Sequence, residues 1–322
     1  MLRVEEITVT DYRTGAPVPL TGPVSFSIGN GEIFGLVGES GSGKSMTALA
    51  LMRLVPRTSR VTGSAVLDGK DVAAASEKEM RELRGNQLAM IFQEPVSALN
   101  PVFTLEEQLV AAIRAHKRIS RADARKRAIE LLRMVGIPDP ERRLRYYPHQ
   151  LSGGMCQRVM IAMALASGAR FLIADEPTTA LDVTIQEQII QLIKRLSDET
   201  GLSVMFISHD LGVVARICDR VAVLYAGEVV ETGMSETLLS SPLHPYSQGL
   251  RRCAPHLSEV GVVQRGIAGT PPIAGQWPAG CRFRERCEFA QERCKSPQKL
   301  EEVAPGYFVR CCRASELRRE AA

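Results

Sequence analysis

The 322-residue sequence predicts an α/β fold on a mostly parallel sheet core, and three short stretches carry that prediction. An apolar run at residues 32–38, EIFGLVG, feeds a glycine-rich turn, and MTALALMRLV follows with helix-forming residues at core spacing. A second run, Phe171 to Ala174, ends in Asp175 and Glu176, and a third, Leu202 to Ile207, ends in Ser208, His209 and Asp210. Strands that are apolar throughout and alternate with helices belong to parallel sheets covered on both faces. Ligands of such sheets bind beyond the carboxyl ends of the strands.

Between the first and second runs, residues 104–166 read as helical. Ser120 to Asp123 fits a capping box, Ala124, Ala128, Leu131, Leu132 and Val135 form one face, and Gly136 with Pro138 beyond it closes the helix. This predicts an inserted helical subdomain at about residues 94–160. A further helix is expected from Asp182 to Thr200, with Ile185, Ile189, Ile193 and Leu196 on one stripe and Gly201 as its stop. After Gly233 the texture changes to proline, arginine and cysteine with little periodicity, so the cassette-like part is expected at 1–235 and a small cysteine-rich extension at 236–322.

Composition limits the classes of function. With 45% hydrophobic and 24% charged residues the chain is in the globular range. A net charge of +4 on 76 ionised side chains gives no reason to expect a nucleic-acid partner. The longest apolar stretch, Val159 to Ala174, is interrupted by Ser167, Gly168 and Arg170, short of the roughly 20 residues of a membrane span. The opening MLRVEEITVT has acidic residues where a secretory signal has an apolar core, so a cytosolic location is expected.

Residues 38–45, GESGSGKS, satisfy the GxxxxGKS phosphate-loop pattern between an expected strand and an expected helix. Gly38, Gly41 and Gly43 let the backbone curl, with Ser40 and Ser42 between them, so that N–H groups and the helix N-terminus converge on a phosphate. Lys44 adds a point charge and Ser45 a hydroxyl for Mg²⁺. At the strand end, Asp175 can reach the metal while Glu176 points toward the γ-phosphate and an attacking water. Residues 151–157, LSGGMCQ, open another helix: Ser152 can cap it, and Gly153 and Gly154 admit an anion at its start.

The phosphate loop with Gln93, the LSGG element, LIADEP, the TTALD loop and His209, in this order, resemble the nucleotide-binding subunit of an ABC transporter over residues 1–235. Cys156 is a departure within the signature that leaves Ser152, Gly153, Gly154 and Gln157 intact. The resemblance implies two cassettes stacked head to tail, with Ser152, Gly153, Gly154 and Gln157 completing the ATP site of the opposite subunit. It implies that Tyr12 stacks on adenine, Gln93 senses Mg²⁺ and the attacking water, His209 contacts the γ-phosphate and Asp182 couples the two sites.

Cys281, Cys287, Cys294 and Cys311 lack the short CxxC spacing of common zinc modules. Four thiolates around Zn²⁺ or a four-iron cluster carry about −2, which Arg282, Arg284, Arg286, Arg293 and Arg310 would stabilise in either case. HPYSQGL at 244–250, GTPP at 269–272, GCRFRERCEFAQERC at 280–294 and the upstream MIFQEPVSALNP resemble the ATP-binding subunits of oligopeptide and dipeptide importers. That resemblance implies a [4Fe-4S] cluster on Cys281, Cys287, Cys294 and Cys311, with Cys312 where a histidine is usual and zinc as the alternative. It further implies ATP hydrolysis driving peptide uptake at the cytoplasmic face of a bacterial inner membrane, with nickel or another small solute as the alternative cargo. The implied partners are a second cassette subunit, a paralogue or a copy of itself, two permease subunits and an extracytoplasmic binding protein. A soluble cassette ATPase of DNA repair or translation is the competing class, but no coiled coil, second cassette or inter-cassette linker is visible.

Overall fold

The computed structural model describes residues 1–179, 181–254 and 266–320. The chain forms two compact units, one of Met1–Ala75 with Phe206–Ala322 and one of Ser76–Met205. Among the described residues no helix is long and apolar enough to cross a membrane.

The first unit contains an antiparallel sheet that the sequence reading did not anticipate. Its central strand, Leu2–Asp11, pairs with Val24–Ile28 on one side and Ser59–Leu67 on the other. Leu2, Val4, Ile7 and Val9 are all buried, although strict alternation would expose the last two. The register slips between Val4 and Ile7, where Glu6 takes a φ of +50°, and this bulge returns the apolar side chains to the inner face. Across from it, Gly63 has a φ of +93°, and a Cβ there would lie 2.5 Å from the Glu6 carbonyl oxygen.

A second set of strands in the same unit carries the expected parallel pairing. Ile33–Val37 runs parallel to Arg220–Tyr225, with Phe34 opposite Arg220 and Val37 opposite Val223. Arg220–Tyr225 pairs antiparallel with Glu228–Met234, Glu228–Met234 with Tyr307–Val309, and Tyr307–Val309 with Glu301–Ala304. Residues past 235 thus lengthen this sheet by two strands of three and four residues, too short to leave a periodic signal in sequence. Fully buried Glu231 anchors that junction. Its carboxylate accepts from Leu243 N–H at 2.6 Å, His244 N–H at 3.1 Å and the Tyr307 hydroxyl at 2.5 Å.

In the second unit Leu88–Ile91 lies parallel to Phe171–Asp175, whose five residues are all buried. The helical stretch comprises Leu105–His116, Arg121–Met134, Pro140–Arg143 and Gly153–Ala164. Ser120 Oγ accepts from Asp123 N–H at 3.1 Å, and Gly136 follows the helix end at a φ of +76°, as the capping signals predict. Val183–Thr200 starts at an Asp182 cap, buries Ile189, Ile193 and Leu196, and ends at Gly201 in the left-handed conformation. Ser203–Ser208, buried throughout, begins in the second unit and ends in the first.

Candidate functional site

In the first unit the phosphate loop leaves the buried strand Ile33–Val37 and enters the helix Lys44–Leu51. Gly38 is required by close approach, since a Cβ there would sit 2.2 Å from the Leu224 carbonyl oxygen. Gly43 takes a φ of +104° at the helix start and offers no side-chain cap, which leaves backbone donors facing outward for an anion. Lys44 is 4% exposed, and its ammonium donates to the Gly38 and Glu39 carbonyls at 2.8 and 2.9 Å. Ser42 is buried, yet its hydroxyl has no hydrogen-bond partner among the described residues. An orphaned hydroxyl beside a folded-back ammonium fits a loop built to receive phosphate oxygens. Ser40, Gly41 and Ser45 are exposed.

Two other predicted residues belong to this unit. Tyr12 directly follows the strand Leu2–Asp11 and is 45% exposed, available for stacking. His209 is exposed at the end of Ser203–Ser208. Its turn is fixed by Asp210, whose carboxylate accepts from Gly212 N–H at 2.8 Å and Val213 N–H at 3.3 Å while its own N–H donates to Ser208 Oγ.

In the second unit Asp175 is buried at the end of its strand, and Glu176 takes a φ of +46°. A left-handed glutamate costs of order 1–3 kcal/mol and persists only where the surrounding structure holds it. Glu176 Oε2 accepts from Gln93 Nε2 at 3.2 Å and from Thr179 Oγ1 at 2.9 Å. The sequence reading named Gln93 but missed Thr179, whose threonine three positions after the glutamate was a usable signal.

Ser152 caps Gly153–Ala164 by accepting from Met155 N–H at 3.3 Å, and Ser152 and Gly153 are exposed. The two glycines differ. A Cβ on Gly153 would meet only Leu181 at an ordinary 3.6 Å, whereas one on Gly154 would come 2.4 Å from Ile185 Cγ2. Gly154 is therefore explained by packing on the helix Val183–Thr200, and among the described residues nothing requires glycine at 153. Gln157, three residues beyond Gly154, shares the packed face, is 0% exposed in the isolated chain, and its amide has no partner among the described residues. Asp182 serves as a helix cap, accepting from Ile185 N–H at 2.9 Å. Ala180 of the TTALD loop lies outside the described residues.

In the extension, Cys281, Cys287, Cys294 and Cys311 line one pocket with His244, Phe283, Arg284, Phe289 and Arg313. The Cys281 N–H donates to the Cys294 carbonyl at 2.8 Å, and Cys312 Sγ lies 3.7 Å from Cys294 Sγ. Burial pushes the Cys281 and Cys311 thiols up to about 11. Among the described residues no group of three or more His, Cys, Asp or Glu is arranged to hold a metal ion. The geometry by itself thus supports neither zinc nor an iron–sulfur cluster, although four soft donors on one aromatic-walled pocket suit a sulfur-ligated group. Four of the five neighbouring arginines have partners other than the cysteines. Arg282 pairs with Glu228, Arg286 with Glu39 and Arg293 with Glu316, while Arg310 donates to the Val229 and Gln298 carbonyls. Only Arg284 of those five lines the pocket, joined by Arg313, which sequence reasoning passed over.

Comparison with known proteins agrees with these motifs. Residues 21–179 match the ABC transporter family, and residues 230–294 match the oligopeptide/dipeptide transporter C-terminal region. The chain is 47% identical to "Probable peptide ABC transporter ATP-binding protein y4tR" of Sinorhizobium fredii, over 98% of this chain and 96% of that protein. It is 44% identical to the oligopeptide transport ATP-binding protein OppD of Escherichia coli, over 98% and 94%. Among solved structures, the ATP-binding cassette MJ0796, a dimer in a post-hydrolysis state with ADP and Pi, matches 73% of this chain and 99% of its own at 31% identity and a TM-score of 0.65. With its phosphate loop, strand-end carboxylates and C-terminal region all matched, the chain belongs to the ABC transporter family as an ATP-binding subunit.

Proposed function

We propose that this chain is the ATP-hydrolysing subunit of an importer of di- and oligopeptides, peripheral to the cytoplasmic face of a bacterial inner membrane. The observation that carries the reading is the presence, in one chain, of a phosphate cradle with an orphaned buried hydroxyl and of the peptide-transporter extension, both aligned end to end with peptide-transport relatives.

ATP is taken up by Gly38, Ser40, Gly41, Ser42, Gly43, Lys44 and Ser45, with Tyr12 against adenine. Ser45, Gln93 and Asp175 supply hard oxygen donors for Mg²⁺, which neutralises phosphate charge when bound. Glu176 polarises the attacking water, held in its turn by Gln93 and Thr179, and His209 donates to the γ-phosphate. Ser152, Gly153 and Gly154 complete the site of a second cassette subunit, and Asp182 couples the two sites. Two permease subunits and an extracytoplasmic binding protein complete the machine. ATP shifts it between states only by binding one more tightly than the other. Residues 94–160 act as the helical subdomain and 236–322 as the extension.

A [4Fe-4S] cluster on Cys281, Cys287, Cys294 and Cys311 is part of this reading and rests on the sequence resemblance; the four cysteines line one pocket, but among the described residues they form no group arranged to hold a metal ion. Such a group would crosslink the extension and supply a redox centre. Iron and acid-labile sulfide assays on anaerobically purified protein test it, and stoichiometric zinc without iron contradicts it. Substrate class is tested by reconstitution with permease and binding protein. Stimulation of ATPase by di- and oligopeptides is expected, and stimulation by nickel alone overturns the peptide assignment.

A further inference from the structure

Glu39, the second residue of the phosphate loop, is held at three points. Its N–H donates to the Tyr246 hydroxyl oxygen at 2.7 Å, its carbonyl accepts from Lys44 Nζ at 2.9 Å, and its carboxylate receives both terminal nitrogens of Arg286 at 2.6 and 3.0 Å. The phosphate loop supplies the Lys44 bond and one more to the same carbonyl, from Ser42 N–H at 3.2 Å. Tyr246 and Arg286 both come from beyond residue 235, and Arg286 lies 247 residues from Glu39 and next to Cys287.

These two side chains are themselves firmly seated. Tyr246 is fully buried, its ring 4.5 Å from Tyr225 and 5.4 Å from Phe283. The Arg286 side chain is 5% exposed, and its Nε donates to the Ala268 carbonyl at 2.9 Å. A two-pronged arginine–carboxylate pair whose arginine is buried fixes direction as well as charge. The charge matters because a loop that must accept a polyphosphate carries an acid in its second position, and an unneutralised carboxylate there would repel the ligand.

We infer that Arg286 and Tyr246 of the C-terminal extension are positioning residues for ATP, holding the Glu39 peptide in place and cancelling its carboxylate so that the phosphate loop can take up nucleotide. The inference rests on reading residues 38–45 as the ATP-binding loop. It gives the extension a task at the nucleotide site whatever its cysteines hold. The extension packs Phe283 against Tyr225 and Tyr246 and places Arg286 beside Cys287, so a disturbance of the cysteine pocket would reach the loop through these residues.

The test measures ATP affinity by calorimetry on the purified full-length chain and KM against kcat in the assembled transporter, with circular dichroism as the folding control. Wild type and Lys44→Ala set the scale: a wild type that binds no ATP overturns the loop assignment and this inference together. Arg286→Gln is expected to weaken ATP binding about tenfold, about 1.4 kcal/mol, and to raise KM while kcat at saturating ATP changes less than about twofold. Tyr246→Phe, which keeps the ring and removes the acceptor of the Glu39 N–H, is expected to weaken binding about threefold. The pair Glu39→Gln with Arg286→Gln, having no charge to cancel, should recover affinity to within about threefold of wild type. Where wild type binds ATP, unchanged affinity in whichever single variant folds overturns the inference alone. Failure of the double variant to recover overturns it as well, by reducing Arg286 to a structural prop.

Discussion

Two helix starts in this chain are rich in glycine and serine, and they are built differently. At the phosphate loop the helix Lys44–Leu51 begins at a left-handed Gly43 without a side-chain cap, and the nearby Lys44 and Ser42 are buried. At the signature turn the helix Gly153–Ala164 begins under its own Ser152 cap, with Ser152 and Gly153 exposed. The first leaves the buried Ser42 hydroxyl without a partner among the described residues, which suits an anion. The second is satisfied within the chain and presents an outward surface whose glycine has no internal steric reason. On the proposed function, the difference separates a phosphate receptor built within one chain from a surface that serves a partner's site.

The largest expected effect tests the cradle. Lys44→Ala removes the buried ammonium that reaches the loop carbonyls, and ATP binding by the isolated chain should fall at least about a hundredfold by calorimetry. Retained affinity would mean that the cradle does not depend on its lysine. Next, Gly153→Asp puts a charge on the exposed turn. ATP affinity of the isolated chain should stay within about twofold, while hydrolysis by the assembled transporter should drop at least about tenfold. Weakened binding in the isolated chain would erase the distinction between the two helix starts.

Gly154→Ala sharpens the contrast within the signature turn. Its Cβ would be forced against Ile185, so a loss of about 1–3 kcal/mol in urea unfolding is expected, with nucleotide affinity unchanged in the folded fraction. The smallest effect concerns a third helix start, where His244 Nδ1 accepts from Tyr246 N–H at 3.1 Å. Burial lowers His244 from 6.5 to about 3, with the Arg310 charge adding to it. Below about pH 6.5 the unfolded chain gains a proton that the native chain refuses until about pH 3, so this residue withdraws stability as pH falls through that window. Glu231, raised by burial, keeps its proton longer in the native state and acts in the opposite sense above the usual carboxylate range. His244→Asn can still cap without titrating, and between pH 7 and 5.5 it should lose about 1 kcal/mol less than wild type.

What could be read from the sequence was whatever is local. The eight residues of the phosphate loop, the apolar strands ending at Asp175 and Ser208, and the Ser120 and Asp182 caps each state their structure within a few positions. The strand Leu2–Asp11 escaped because the bulge at Glu6 breaks its alternation, so a period-two reading fails in the middle. The burial of Gln157 is not legible from motif adjacency, which ignores helical phase: three residues past Gly154 the side chain returns to the packed face. The Arg286–Glu39 pair joins residues 247 apart with no shared pattern, and the same holds for the arginines spent on Glu228 and Glu316. Long-range pairing of that kind is set by tertiary packing and is invisible to spacing.

The measurement closest to the central claim compares wild type with Glu176→Gln in the assembled transporter, following bound ATP and its conversion to ADP and phosphate in a single turnover. Equal ATP retention, with conversion at least about a hundredfold slower in the variant, is the expected result for a carboxylate that polarises the attacking water. Near-normal conversion in the variant would contradict the assignment of Glu176 and with it the division of labour between cradle and strand end.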